Sequence, residues 1–447
     1  MERQIDKWNR HDLVRRLCHA LAIAKRTVER LAQNGYTDPE EPNNSLRPEK
    51  VISETAVLLF AASAAAGHDD VREHIDRVAR LLIPHARSEN ILARLCLEPT
   101  LALDYSLAHV CLNRLGHKDP DFDGMLRLSL KFQTRTLRER VPHRMMEQEW
   151  IATLWSETNP GSPGTISRVA RQSALNQGMD LVNGGRDDAY AFTHALMYHT
   201  EFGSRPTRLP RPRAVILAEA EAALARCLDD EDYDLGGEVL LAWPFTGASW
   251  SAAAAFGFKV LAAVEDKAGF LPSPATRLQR LDKLEGVERS SYLLATAYHT
   301  AYVMGLLCAA ALQPRRLPPS RIPTATSTPG SAKIILRSLD ADGISPHWRD
   351  EFDRLADTQR DAISGLLMNM ALRRKIKQKD YAAVAKLLQL GCALGLPDSP
   401  AASQGVELLE RLAMFAQVRR TRCSINGEKP DRSKSAQPGQ HQASSRI

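Results

Sequence analysis

The chain has 447 residues, 44% of them apolar, with 59 Lys and Arg against 53 Asp and Glu and a formal charge of +6. That apolar share is ample for a sizeable core and excludes a chain disordered throughout. No run reaches the ~18 uninterrupted apolar residues of a membrane span, and no apolar stretch follows a basic head at the start, so a cytoplasmic protein away from membranes is expected.

Helical periodicity dominates the chain in order. It predicts helices at about 10–34, 49–66, 69–86, 89–97, 99–116, 121–139, 143–156, 164–180, 187–202, 212–229, 232–244, 249–267, 288–312, 346–376, 379–394 and 402–418. Pro48 and Pro142 fit first helical turns, and Gly116 fits a helix end. Strand signals are confined to pieces such as Lys333–Arg337, too short to build a sheet. The expected fold class is all-α: helical hairpins in an α/α-toroid-like ring or short solenoid, with a C-terminal helical extension. Closure is favoured, because no repeat of fixed period is visible and polar residues on several helices need a shared interior.

Organisation follows from composition. Residues 1–312 read as a helical main body with a central cavity, and Gly161–Gly164 as a loop inside it. Residues 313–331, carrying Pro314, Pro318, Pro319, Pro323 and Pro329, read as an extended linker. Residues 332–418 form a C-terminal helical part, and 419–447, with Arg419, Arg420, Arg422, Lys429, Arg432 and Lys434 among Ser, Gln and Pro, read as a disordered basic tail. No aromatic residues are interleaved for base stacking, so nucleic acid is not an expected partner. The seven cysteines are scattered singly and read as small hydrophobes in a reducing compartment.

The most informative stretch is Asp188–Gly203, where His194, Tyr198 and Glu201 stand at i, i+4 and i+7, so that an imidazole, a phenol and a carboxylate share the face where an apolar stripe normally runs. His299 and Tyr302 are the conspicuous polar groups of an otherwise apolar helix. Pro142 starts a helix that sets His143 and Glu147 one turn apart, either as a surface charge cluster or facing inward ahead of Trp150, Ile151 and Leu154. Asp234 and Glu238 stand one turn apart after an acidic run that is otherwise helix capping, and His109 sits in a further apolar segment.

These residue types suit a divalent metal held in a helical bundle, but no His-Glu-x-x-His occurs and Glu-x-x-His does not occur twice. A metal-free pocket in which a carboxylate orients a proton-moving histidine accounts for the same residues. Phosphate loops, dinucleotide glycine fingerprints, Cys-x-x-Cys pairs and Gly-x-Ser-x-Gly elbows are absent.

The motifs Glu139-Arg-Val-Pro-His-Arg-Met-Met-Glu147, Thr193-His-Ala-Leu-Met-Tyr-His-Thr-Glu-Phe-Gly203 and Tyr298-His-Thr-Ala-Tyr-Val-Met-Gly-Leu306 resemble those of an uncharacterised family of all-helical actinobacterial proteins met near natural-product biosynthetic genes. The resemblance spans roughly residues 90–312 and implies no established reaction; in that family an Asp more often stands where this chain has Glu201. The terpene signature Asp-Asp-x-x-Asp is not matched by Asp229-Asp-Glu-Asp232.

The expected function is a small-molecule enzyme of secondary metabolism using histidine and carboxylate acid-base chemistry, with a divalent metal as an optional assistant. His194, Tyr198, Glu201 and His299 are the catalytic candidates, with His109, His143, Glu147, Asp234 and Glu238 as substrate-binding candidates. The competing reading is a non-catalytic helical scaffold for a partner protein.

Overall fold

The computed structural model describes residues 8–32, 35–132, 138–156, 167–205, 207–324, 328–340, 343 and 346–425. The first half holds α1 (Arg10–Ala32), α2 (Pro48–Ala62), α3 (Asp69–Ala86), α4 (Glu89–Leu97), α5 (Ala102–Arg114), α6 (Pro120–Leu130), α7 (Pro142–Trp155) and α8 (Arg186–His199). There follow α9 (Arg213–Asp229), α10 (Tyr233–Leu240), α11 (Ala242–Thr246), α12 (Ala252–Ala268), α13 (Leu278–Leu281) and α14 (Gly286–Ala311). The C-terminal elements are α15 (Ser331–Asp340), α16 (Trp348–Asp353), α17 (Asp357–Ala362), α18 (Ser364–Lys377), α19 (Tyr381–Ala393) and α20 (Pro400–Ile425). Among the described residues there is no strand, only an isolated bridge between Thr37 and Ser45, and the fold is all-α.

Local chemistry sets many of the boundaries. Pro48 and Pro142 occupy first turns, where their missing N–H costs nothing. Side-chain oxygens of Ser88, Asp119, Asp232, Ser251 and Asp380 accept from the first-turn amides of α4, α6, α10, α12 and α19.

Three expectations from the sequence are corrected. The helix expected at 164–180 is, over its described part, a 3₁₀ turn at Ala170–Gln172 amid turns, because the hydroxyls of Ser167 and Ser173 bond the local amides of Ala170 and Leu175. The single helix expected at 346–376 is three, interrupted where Ala356 is extended and Gln359 folds back to accept its amide. Lys333–Arg337, read as a strand-like piece, lies inside α15, whose Ala332, Ile335, Leu336 and Leu339 form a buried helical stripe.

Helix α14 is the axis of the body. It is long and apolar enough to cross a membrane, yet most of it is buried, packed against α1, α2, α10 and α11. Close approach depends on missing side chains: a Cβ on Gly305 would lie 2.7 Å from Ala20 Cβ and 2.9 Å from Leu58 Cδ1, so glycine lets α1 and α2 both reach α14. The α1 stripe of Leu13, Leu17, Leu21, Ala24 and Val28 is fully buried, each large aliphatic side chain contributing about 1.5–3 kcal/mol.

Contacts close a circuit: α2 touches α5, α5 touches α7, α7 touches α8, α8 touches α10, α10 touches α14, and α14 returns to α2. Each helix of this circuit lends residues to the pocket described below. The C-terminal helices lie outside it, α18 and α20 on α9, and α16 and α17 on α12. Asp229 takes both its bonds from Arg374 (2.6 and 2.8 Å) and Asp230 pairs with Arg373, so this acidic run anchors α18 to the body.

The described part of 313–331 has no regular element before α15 and is pinned rather than loose: Trp250 donates to the Arg316 carbonyl (2.8 Å), Arg316 to that of Gly203 (2.7 Å), and Thr328 to that of Leu394 (2.7 Å). Helix α20 runs through Arg419, where the tail was expected to begin, to Ile425; residues 426–447 lie outside the described part.

Candidate small-molecule pocket

All six helices of the circuit contribute residues to the lining of a cavity of about 370 Å³, within the range of small-ligand sites. The lining combines apolar side chains, among them Ile52, Val57, Ile151, Met197, Phe202, Val303 and Leu306, with the polar Glu54, Glu147, Arg144, Tyr190, His194, Tyr198, Glu238 and His299.

His299 of α14 lies between carboxylates on both ring nitrogens. Its Nδ1 is 3.1 Å from Glu54 Oε2, and its Nε2 is 3.6 Å from both Asp234 Oδ1 and Glu238 Oε1. The ring is deep in the protein, yet 26% of its side-chain surface opens onto the cavity, as does 23% of Glu54. Burial alone would lower the imidazolium; the charges of Glu54, Asp234 and Glu238 outweigh it and raise the ring well above its ordinary 6.5. Burial likewise pushes the carboxyls up, but His299 holds Glu54 below its usual range, and His194 and His299 hold Glu238 below. Asp234 moves the other way, raised by burial and by the like charge of Glu238, against the pull of His299 and Arg186 (3.0 Å).

His194 of α8 presents the opposite state. Its Nδ1 faces the Tyr190 carbonyl (3.1 Å), Thr193 Oγ1 (3.4 Å) and Glu238 Oε2 (3.5 Å), while Thr193 Oγ1 donates to the same Glu238 oxygen (2.6 Å). With a carbonyl and a carboxylate before it, Nδ1 carries the ring hydrogen, and Nε2 keeps its lone pair. Burial holds this imidazole below 6.5, outweighing the neighbouring Glu238 and Glu147. Tyr190, one turn earlier, packs its ring over that of His194 with centroids 3.7 Å apart.

Glu147 completes the polar part of the lining. It accepts from Tyr198 Oη (2.7 Å) and Arg144 (2.8 Å), so the phenol is tied down and burial with this carboxylate raises it well above 10.

The candidates named from sequence therefore separate. His194, Tyr198, Glu147, Glu238 and His299 line one cavity, and Asp234 stands directly behind His299. His143 meets Tyr190 and His194 edge-on, with centroids 5.8 and 6.0 Å away, but does not line the cavity; burial, then His194 and Arg144, push it down to about 4.

Glu201 is a correction. Helix α8 ends at His199, and Glu201, Phe202 and Gly203 then take left-handed φ of 48°, 54° and 74°. The reversal puts Phe202 in the cavity and leaves Glu201 paired to Arg205 at 3.1 Å, outside it. His109 is also corrected: it is buried away from the cavity, stacked on Phe122, receiving Arg87 at Nδ1 (3.1 Å) and facing Asp123 at Nε2 (2.9 Å). It braces the junction of α3, α5 and α6.

Glu54, Tyr190 and Arg144 were not singled out in the sequence. The signal for Glu54 is a carboxylate inside Val51-Ile-Ser-Glu-Thr-Ala-Val-Leu-Leu59, with Lys50 one turn before it inviting a surface ion-pair reading. Among the described residues, no group of three or more His, Cys, Asp or Glu is arranged to hold a metal ion.

No curated protein and no solved structure matches the chain. Residues 18–309, which contain the circuit of helices around the cavity except the last two residues of α14, match the family described as a domain of unknown function, DUF6895, and the chain belongs to that family.

Proposed function

We propose that the cavity is the active site of a small-molecule enzyme in which His194 acts as general base. The observation that carries this reading is that His194 and His299 share one carboxylate, Glu238, while their surroundings push them to opposite protonation states. A neutral imidazole whose Nδ1 is anchored and whose Nε2 is unprotonated is free to accept a proton from a bound substrate.

Glu238 orients the ring and stabilises the imidazolium formed on proton transfer. His299 has carboxylates within ion-pair range of both nitrogens, although Nδ1 makes no hydrogen bond, and its role is positional: its charge keeps Glu54 and Glu238 ionised. The apolar share of the lining favours a substrate with a sizeable apolar part that brings one polar group to His194. The motif resemblance directs the substrate search to secondary metabolites.

The test is incubation of purified protein with fractionated secondary-metabolite extracts, followed by mass spectrometry, for wild type and His194→Gln. A mass or isomer change seen with wild type and lost in the variant, with melting points alike, supports catalysis. Turnover that survives His194→Gln ends the assignment, and His194→Gln protein that simply unfolds would favour a structural role for the ring.

A further inference from the structure

Resting on His194 as base, we infer that Tyr190 is a second substrate-contacting residue, its hydroxyl donating a hydrogen bond to a carbonyl or phenolic oxygen of the substrate beside the proton that His194 removes. The placement comes first. Tyr190 and His194 are one turn apart on α8, both line the cavity, and their rings are in contact at 3.7 Å.

The other phenols of the lining are committed within the protein. Tyr198 donates to Glu147, Tyr105 to Glu98, and Tyr302 is bonded to Thr55. Tyr190 Oη bonds none of the described residues, and it is not among the buried polar atoms left without a partner, so it reaches open space. Arg144, Glu238, Glu54 and Glu147 all act on it electrostatically, which puts the hydroxyl near charged groups that line the cavity. Burial raises this phenol far above neutral pH, so it is a donor whenever a ligand arrives.

A base and an uncharged donor side by side suit removal of a proton from the carbon next to a carbonyl. The C–H bond breaks, its hydrogen goes to His194 Nε2, the electron pair forms a new C=C bond, and the carbonyl π pair moves onto oxygen as an enolate held by Tyr190. Return of the proton from His194 to either end of the enolate closes the cycle without any co-reactant. The substrate class is thus an apolar carbonyl compound with an acidic α-hydrogen.

A planar phenol mimics that enolate, so the probe is para-nitrophenol, titrated calorimetrically into the full-length protein near pH 7. Tyr190→Phe keeps the ring over His194 and leaves no described partner unsatisfied, so the variant should fold. Wild type is expected to bind saturably, with Tyr190→Phe about tenfold weaker for the lost hydrogen bond and His194→Gln also weaker. Equal binding by wild type and Tyr190→Phe, with His194→Gln still impaired, overturns this inference and leaves the base assignment standing. Absence of saturable binding to wild type, or full binding by His194→Gln, overturns both.

Discussion

Glu238 stands between His194 and His299, its Oε2 3.5 Å from one imidazole and its Oε1 3.6 Å from the other, and the two rings titrate in opposite directions from a common ordinary value. The difference lies in what else each ring meets. His194 has a carbonyl, a hydroxyl and a neighbouring tyrosine ring, whereas His299 has two further carboxylates. Histidine-selective NMR titration should therefore place His194 below 6.5 and His299 above it. In Glu238→Gln, His299 should move down toward 6.5 as one of its three acids is lost. Two unshifted imidazoles would remove the basis for distinct roles.

Glu54 is expected to matter as much as the histidine it faces. Glu54→Gln keeps the shape but leaves the deep imidazolium with less compensation, which should cost about 1–3 kcal/mol of stability near pH 7 and lower the His299 titration. Chemical denaturation at pH 7 and NMR on the same variant measure the two effects. A variant as stable as wild type with His299 unmoved would show that Glu54 is a bystander.

The all-α class and many helix boundaries were legible because they follow from local rules: apolar spacing, first-turn prolines and side-chain caps. His194, Tyr198, Glu147, Glu238 and His299 were legible as polar groups on apolar helices. Glu201 was misread because helical phase was carried past His199, while the chain reverses through three left-handed residues that only Gly203 announces. Glu54 was hidden for a different reason. Nothing in its own helix distinguishes a carboxylate aimed at His299, 245 positions away, from one paired to Lys50 in the preceding turn.

The misread residues give a contrast of their own. His109→Ala should destabilise by about 2–4 kcal/mol, since it strips partners from Arg87 and Asp123 in a buried junction, without changing nitrophenol affinity. Glu201→Gly should be near neutral, because a largely covered pair with Arg205 is exchanged for relief of a left-handed φ. Urea denaturation of both variants checks this. A large loss in Glu201→Gly, or a ligand-binding defect in His109→Ala, would reverse the assignments.

Gly305→Ala tests the packing at the axis. The added methyl meets Ala20 and Leu58 on two different helices, so no single side chain can give way, and overpacking should cost about 1–3 kcal/mol. A melting point equal to wild type would mean that α1 and α2 can separate from α14 without penalty.

Acid stability should report His143, which faces His194, Arg144, Glu147 and Tyr190 and is pushed down to about 4. The unfolded chain binds a proton at this residue once the pH falls through 6.5, while the folded protein binds it only near 4, so acid favours unfolding across that window. The loss from this group should be roughly 1–2 kcal/mol at pH 5, discounted for its partial exposure. His143→Gln has no such proton to bind, so whatever packing it sacrifices at pH 8, its deficit against wild type should shrink as the pH falls to 5. His299 contributes with the opposite sign: its raised folded value makes its share fully present below 6.5 and lost as the pH climbs through the higher one. Because His299 is unchanged in the His143→Gln comparison, parallel stability curves for the two proteins from pH 8 to 5 would show that His143 is not held neutral by the fold.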